Sequence, residues 1–238
     1  MTQPSVSPVD IWFGSTDAIQ IGEDEIDSIL TQDEKNRAQR FAFEHLRHHY
    51  RLGRAALRKI LSTYLDIDPS SVTLSYRRYG KPFVEDGPEF NMSSSGSMLL
   101  IGVGGNLALG VDMEQRREMD DMEELVERYY SERERTELVA LPNSDRLRGF
   151  FRAWSRKEAV TKALGLGLNM KLWSFSVPID EYDACSLIAT SEHFPDSGTW
   201  YVRPIQIFEE AESAIAANRP FAIARRFRIG HGLQWAEE

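Results

Sequence analysis

Apolar residues recur at spacings of three and four between residues 35 and 65, where Leu46, Tyr50, Gly53, Leu57, Ile60 and Leu61 line one side of a helix that ends before Asp68-Pro69. The helical period returns at 118–130 and from about 144 to 164, where Gly165 and Gly167 stop it. Between these two, Ser131 with Glu134 three residues on forms a capping box that starts a helix. Elsewhere the period shortens to two. Residues 72–77, MLLIGV and LALGVDME read as strands, the last two joined through Gly104-Gly105-Asn106 as a hairpin. A Gly80-Lys81-Pro82 turn and an acidic loop through Pro88 lie before them, and WSFSV, SLIAT, WYVRPIQIF and FAIARRF alternate like strands after the last long helix. Each half thus runs long helix first and strands afterwards. No residue-level repeat is present, but this order suggests a duplicated α/β (α+β) architecture with halves at 1–114 and 115–238.

Composition narrows the function classes. A chain of 238 residues buries roughly 70–75% of its unfolded surface without staples. A single cysteine, Cys185, excludes an intramolecular disulfide and any multi-cysteine metal site, which fits a reducing, cytoplasmic setting. Residues 1–13 carry neither the charged nor the apolar region of a secretory signal. The longest apolar run, residues 98–111, is interrupted by four glycines and Asn106 and falls short of the ~20 residues of a spanning helix; no membrane association is expected. The balance of 28 basic against 37 acidic residues leaves a net charge of −9, the opposite of a nucleic-acid footprint. Against that background residues 35–59 hold eight Lys and Arg and one acid, Glu44. This basic run is either a solvated helix face or an anion site.

Two segments carry candidate chemistry. In LALGVDME, alternation sets Val111 and Met113 on one face and Asp112 and Glu114 on the other, so two carboxylates project side by side. Such a pair is either the wet face of a half-buried strand or a site for a hard divalent cation. In FFRAWSRKEAVTKALG, Leu147, Phe151 and Trp154 define an apolar stripe, and Glu158 falls at the same angle. A carboxylate there must be neutralised by a metal, a proton or a cation, and Lys162, one turn on, is a possible partner. Other motifs are weaker. Leu107 replaces the third glycine of a dinucleotide loop, His45, His48 and His49 lack the H-E-x-x-H glutamate, and Ser93, Ser94 and Ser95 lack the G-x-S-x-G elbow.

RYGKPFV at 78–84, FNMSSSG at 90–96, LGVDME at 109–114, RYYSERE at 128–134 and WSRKEAVTKALGLGL at 154–168 together resemble the 4′-phosphopantetheinyl transferases of the surfactin-synthetase-activating type, in the family's order and spacing. The resemblance implies a pseudo-dimer of two similar α/β halves in one chain, acting as a monomer, with the active site in the cleft between them. It implies transfer of phosphopantetheine from coenzyme A to a serine of an apo acyl or peptidyl carrier protein, with release of 3′,5′-ADP and a requirement for Mg²⁺ or Mn²⁺. Asp112 and Glu114 match the metal ligands, and Glu158 completes the metal site and can deprotonate the attacking serine. Lys162 matches the lysine on the phosphates. Lys81 and Ser93 match positions on the coenzyme A side, and Arg37 and Arg40 fall in the basic stretch near the nucleotide. One departure stands out: Ser94 occupies a position where the family commonly has a nucleotide-binding histidine. A non-catalytic coenzyme A or carrier-binding module and a Mg²⁺-dependent phosphohydrolase are the alternatives, and the intact Asp112, Glu114, Glu158 and Lys162 speak against the first.

Overall fold

Two long helices, each laid on its own sheet, frame the molecule, and the sheets face each other across a shared apolar layer. The computed structural model describes residues 6–180, 185–186, 188–189 and 193–238. The chain opens with β1 (Ser7–Ser15), α1 (Glu23–Ile29), α2 (Gln32–Ala38) and α3 (Glu44–Leu65). A short ladder of β2 (Ser75–Tyr76) and β3 (Pro82–Phe83) leads into β4 (Glu89–Ser95), β5 (Met98–Gly104) and β6 (Leu109–Gln115). Then come α4 (Met122–Tyr129), α5 (Glu132–Ala140) and α6 (Asn143–Leu164), followed by β7 (Phe175–Ser176), β8 (Cys185–Ser186) and β9 (Ile188–Ala189). The chain closes with β10 (Tyr201–Pro204), β11 (Ala211–Ala217), β12 (Phe221–Ile229) and β13 (Trp235–Glu237).

The first sheet has the order β13-β12-β1-β5-β4, with β1 parallel to β12, and the second has the order β6-β11-β10-β8. Alternation along β5 sends Leu99, Ile101 and Val103 towards Leu52, Leu57 and Leu61 of α3, and sends Met98 and Leu100 into the layer between the sheets with Val111, Met113 and Ile215. Burial on both faces is why this strand is apolar at successive positions. On the far side, Phe150, Phe151, Ala153 and Val160 of α6 pack against Ala214 and Ala216 of β11. The fold is the expected mixed α/β architecture, and no helix among the described residues is long and apolar enough to cross a membrane.

Several local expectations are corrected. The helix expected over 35–65 is two helices, because Phe41 packs on Tyr50 with ring centroids 5.3 Å apart and the chain folds back between α2 and α3. That reversal lets Arg54 and Arg58 of α3 reach Glu34 of α2. The hairpin expected at 104–106 does not form: β5 pairs with β1 and β4, β6 pairs with β11, and the connection passes the chain from one sheet to the other. Of 72–77 only Ser75 and Tyr76 pair, and the late strands shorten to β7 and β10, while positions 187 and 190 of SLIAT lie outside the described residues. Strand β11, AESAIAA, has a composition that favours helix and was not expected. It is a strand because α6 covers one face and the first sheet the other, leaving room for little beyond alanine. Strand β12 returns to the first sheet, beside β1.

Candidate active site

The site is built where α6 meets β6. An added Cβ at Gly110 would stand 2.0 Å from the Ala159 carbonyl oxygen and 2.4 Å from the Ala163 nitrogen, so only glycine allows this contact. The close approach brings Glu158 and Lys162 over Asp112 and Glu114. Asp112 and Glu114 share the face opposite Val111 and Met113, which enter the inter-sheet core. Asp112 is 2% exposed. Its Oδ1 accepts from the Lys162 ammonium at 2.6 Å and from the Ser93 hydroxyl at 3.0 Å, and Lys162 also donates to Ser93 Oγ at 2.9 Å. The alternative of a Glu158–Lys162 pair is thereby corrected: the ammonium sits on Asp112.

Glu158 is half-buried, and burial first, then the negative charge of Asp112, pushes its carboxyl up to about 7; Lys162 opposes the shift and Glu114 adds to it. Glu114 is raised for the same two reasons in the same order. The three acids therefore repel one another and lack sufficient counter-charge. Asp112 Oδ2 is buried with no hydrogen-bond partner among the described residues. Carboxylate oxygens of this kind suit Mg²⁺, which binds oxygen and keeps waters and substrate phosphates in its shell. As they stand, no three Asp, Glu, His or Cys side chains among the described residues are grouped closely enough to hold an ion. The donor set fits the cation in chemistry, with one orphaned oxygen available.

Strand β4 joins this site to the first sheet through side chains. Val111, Met113 and Gln115 donate their backbone N–H to Asn91 Oδ1 at 2.9 Å, Ser93 Oγ at 3.3 Å and Ser95 Oγ at 3.0 Å. The Ser93 and Ser95 hydroxyls then donate to Asp112 and, at 3.3 Å, to Glu114. Ser94 points the other way and lines a cavity of about 440 Å³ with His45, His49 and Tyr50.

The basic run divides. Arg47, Arg51, Arg54 and Arg58 pair with Glu44, Glu23 and Asp27, and Glu34, so half of its charge is internal to the fold. Arg37 and Arg40 line a second cavity of about 470 Å³ with Tyr50, Arg54 and Tyr76, and Arg37 stacks over the Tyr50 ring. Lys81 is buried and away from both cavities' linings. One buried pair escaped sequence reasoning: Lys157 and Glu134, both fully enclosed, meet at 2.7 Å, and Lys157 donates also to the Leu172 and Phe175 carbonyls. The capping box at Ser131 was its one visible trace, since the Glu134 carboxylate closes that box while holding Lys157.

The chain belongs to the 4′-phosphopantetheinyl transferase superfamily, whose model matches residues 108–222, and residues 24–103 match the 4′-phosphopantetheinyl transferase N-terminal family. It is therefore an enzyme of the phosphopantetheinyl transferase class. It is 36% identical over 165 residues to the 4′-phosphopantetheinyl transferase HetI of Nostoc sp., a match covering 67% of this chain and 70% of that protein. It is 27% identical over 195 residues to the 4′-phosphopantetheinyl transferase Sfp of Bacillus subtilis, covering 81% and 84%.

Proposed function

We propose that the enzyme moves 4′-phosphopantetheine from coenzyme A to a serine hydroxyl of an apo acyl or peptidyl carrier protein and releases 3′,5′-ADP, with Mg²⁺ or Mn²⁺ required. The observation that carries this reading is the convergence of Asp112, Glu114, Glu158 and Lys162 around a buried oxygen without a partner. Phosphoryl transfer asks a protein to position its substrates and offset charge, and these are the groups for it. Asp112, Glu114 and Glu158 would hold the cation, which would neutralise the pyrophosphate of coenzyme A.

The chain's own residues do the rest. The Lys162 ammonium lies beside the acids and serves the substrate phosphates, which replace part of its contact with Asp112. Glu158, held at the edge of the acid cluster, is the carboxylate placed to take the proton of the attacking serine. The serine oxygen forms a bond to the β-phosphorus, the bond to the bridging oxygen breaks, and that oxygen leaves with 3′,5′-ADP. Residues 1–114 supply the coenzyme A side, where Arg37 and Arg40 offer guanidinium groups to the nucleotide, with Ser93 and Ser94 on β4. Both site elements come from one chain, which supports action as a monomer. The test is mass spectrometry of apo acyl and peptidyl carrier proteins incubated with the enzyme, coenzyme A and Mg²⁺. A phosphopantetheine adduct on the carrier serine is expected; release of phosphate without an adduct, or binding of coenzyme A without turnover, overturns the reading.

A further inference from the structure

Lys81 lies 8% exposed at the end of the turn between β2 and β3. Its ammonium has three protons and three partners. Nζ donates to the Leu109 carbonyl at 2.9 Å and to the Ala163 carbonyl at 3.1 Å, and stands 3.5 Å from Glu89 Oε2. Leu109 opens β6, three residues before Asp112. Ala163 lies in the last turn of α6, next to Lys162. Glu89 opens β4, which carries Ser93 and Ser95. One buried cation therefore touches each of the three elements that supply the site's side chains.

The surroundings are shaped to this contact. Gly165 ends α6 in the left-handed conformation at φ +70, and a Cβ there would meet Lys81 Cδ at 3.3 Å. The turn that carries Lys81 is closed by the Arg77 amide on the Lys81 carbonyl at 2.9 Å. A cation at a helix C-terminus also suits the carbonyls left without partners there. Burial lowers the affinity of Lys81 for its proton, and Glu89 opposes that effect.

We propose that the Lys81 side chain is a positioning group: its ammonium fixes the separation of α6 from β6, and so the placement of Glu158 and Lys162 over Asp112 and Glu114, and does not bind a phosphate of coenzyme A. The inference rests on the transferase reading, but its geometric half does not. A lysine with every proton engaged by protein acceptors has none left for a phosphate, and releasing it would uncover two buried carbonyls.

The test compares wild type, Lys81→Met and Lys81→Arg in two measurements. The first is steady-state transfer at saturating carrier, read as kcat and as KM for coenzyme A. The positioning role expects kcat to fall by about ten-fold or more in both variants, with KM changed less than three-fold, because arginine's planar fork cannot reproduce the three-way contact of an ammonium. A phosphate ligand behaves otherwise: Lys81→Met raises KM ten-fold or more with kcat retained, and Lys81→Arg, which keeps the charge, preserves both. That pattern overturns the proposal. The second measurement is amide hydrogen exchange over residues 109–115 and 158–166 without substrate. Faster exchange in both segments is expected, and unchanged exchange overturns the proposal even if no carrier is found for the wild type. Absence of transfer by the wild type counts against the function reading alone. Where Lys81→Met does not fold, Lys81→Arg carries both comparisons.

Discussion

Replacing Glu158 by glutamine removes one charge from the acid cluster and almost no volume, and it separates the repulsive cluster from a structural ion pair. The wild-type carboxyl is displaced from 4.5 to about 7, by burial first and then by Asp112. In the folded state it therefore holds a proton that the unfolded chain releases between these values. Because the native state binds more protons in that window, stability falls as pH rises through it. The full displacement corresponds to about 3 kcal/mol, and solvent screening of the half-buried side chain reduces this to about 1–2 kcal/mol. In chelator at pH 8, Glu158→Gln should thus be more stable than wild type by about 1–2 kcal/mol, with the difference shrinking towards zero at pH 4.5. Single-turnover transfer by the same preparation should drop about 10²-fold or more, the lower range for loss of a general base. Guanidinium unfolding at the two pH values and rapid-quench transfer read both quantities. A variant that is less stable at pH 8, with normal transfer by its folded fraction, would refute the reasoning.

Other substitutions probe the frame. Lys157→Met leaves the Glu134 carboxylate buried without its cation and should cost about 3–5 kcal/mol in denaturant unfolding; adding Glu134→Gln should recover part of the loss, and no recovery would refute the pairing. Gly110→Ala drives a methyl group into the α6 backbone, so it should lower stability by at least the ~1–3 kcal/mol of ordinary overpacking and slow transfer as well; a neutral effect on melting would show that α6 can retreat. Ser94→His places an imidazole in the cavity of His45 and His49. One added hydrogen bond to a charged phosphate is worth ~1.5–3 kcal/mol, so KM for coenzyme A should fall about ten-fold or more at constant kcat; an unchanged KM removes Ser94 from the nucleotide side.

What could be read from the sequence was what short-range chemistry writes there. The Ser131 box, the stop of α6 at Gly165 and the shared face of Asp112 and Glu114 each follow from positions within four residues of one another. The misreadings involve distant partners. Phe41 turns the chain only because Tyr50 is there to receive it, and AESAIAA is a strand because two layers close on it. On α6 a narrow apolar stripe was expected, yet Lys157 on another side is fully enclosed, because Glu134 arrives from α5 to meet its charge. Lys81 has the same character: its motif marks a tight turn, while the carbonyls that use its protons lie 28 and 82 residues away.

The serines of β4 show why the acids lie where they do. The outer edge of β6 faces β4, and an exposed strand edge presents backbone amides in need of acceptors. Side chains at 91, 93 and 95 satisfy the amides at 111, 113 and 115, so the period of two on one strand addresses the period of two on the other. A hydroxyl both accepts and donates. Ser93 accepts from Met113 and donates to Asp112, and Ser95 accepts from Gln115 and donates to Glu114. Each serine therefore fixes the register of β6 and orients the carboxylate one residue earlier on the same strand. A slip of one residue would turn Asp112 and Glu114 into the apolar layer and bring Val111 and Met113 out of it. The junction of the two sheets is polar on one side so that it can hold the acids, and the same contacts that join the sheets aim the side chains that carry the chemistry.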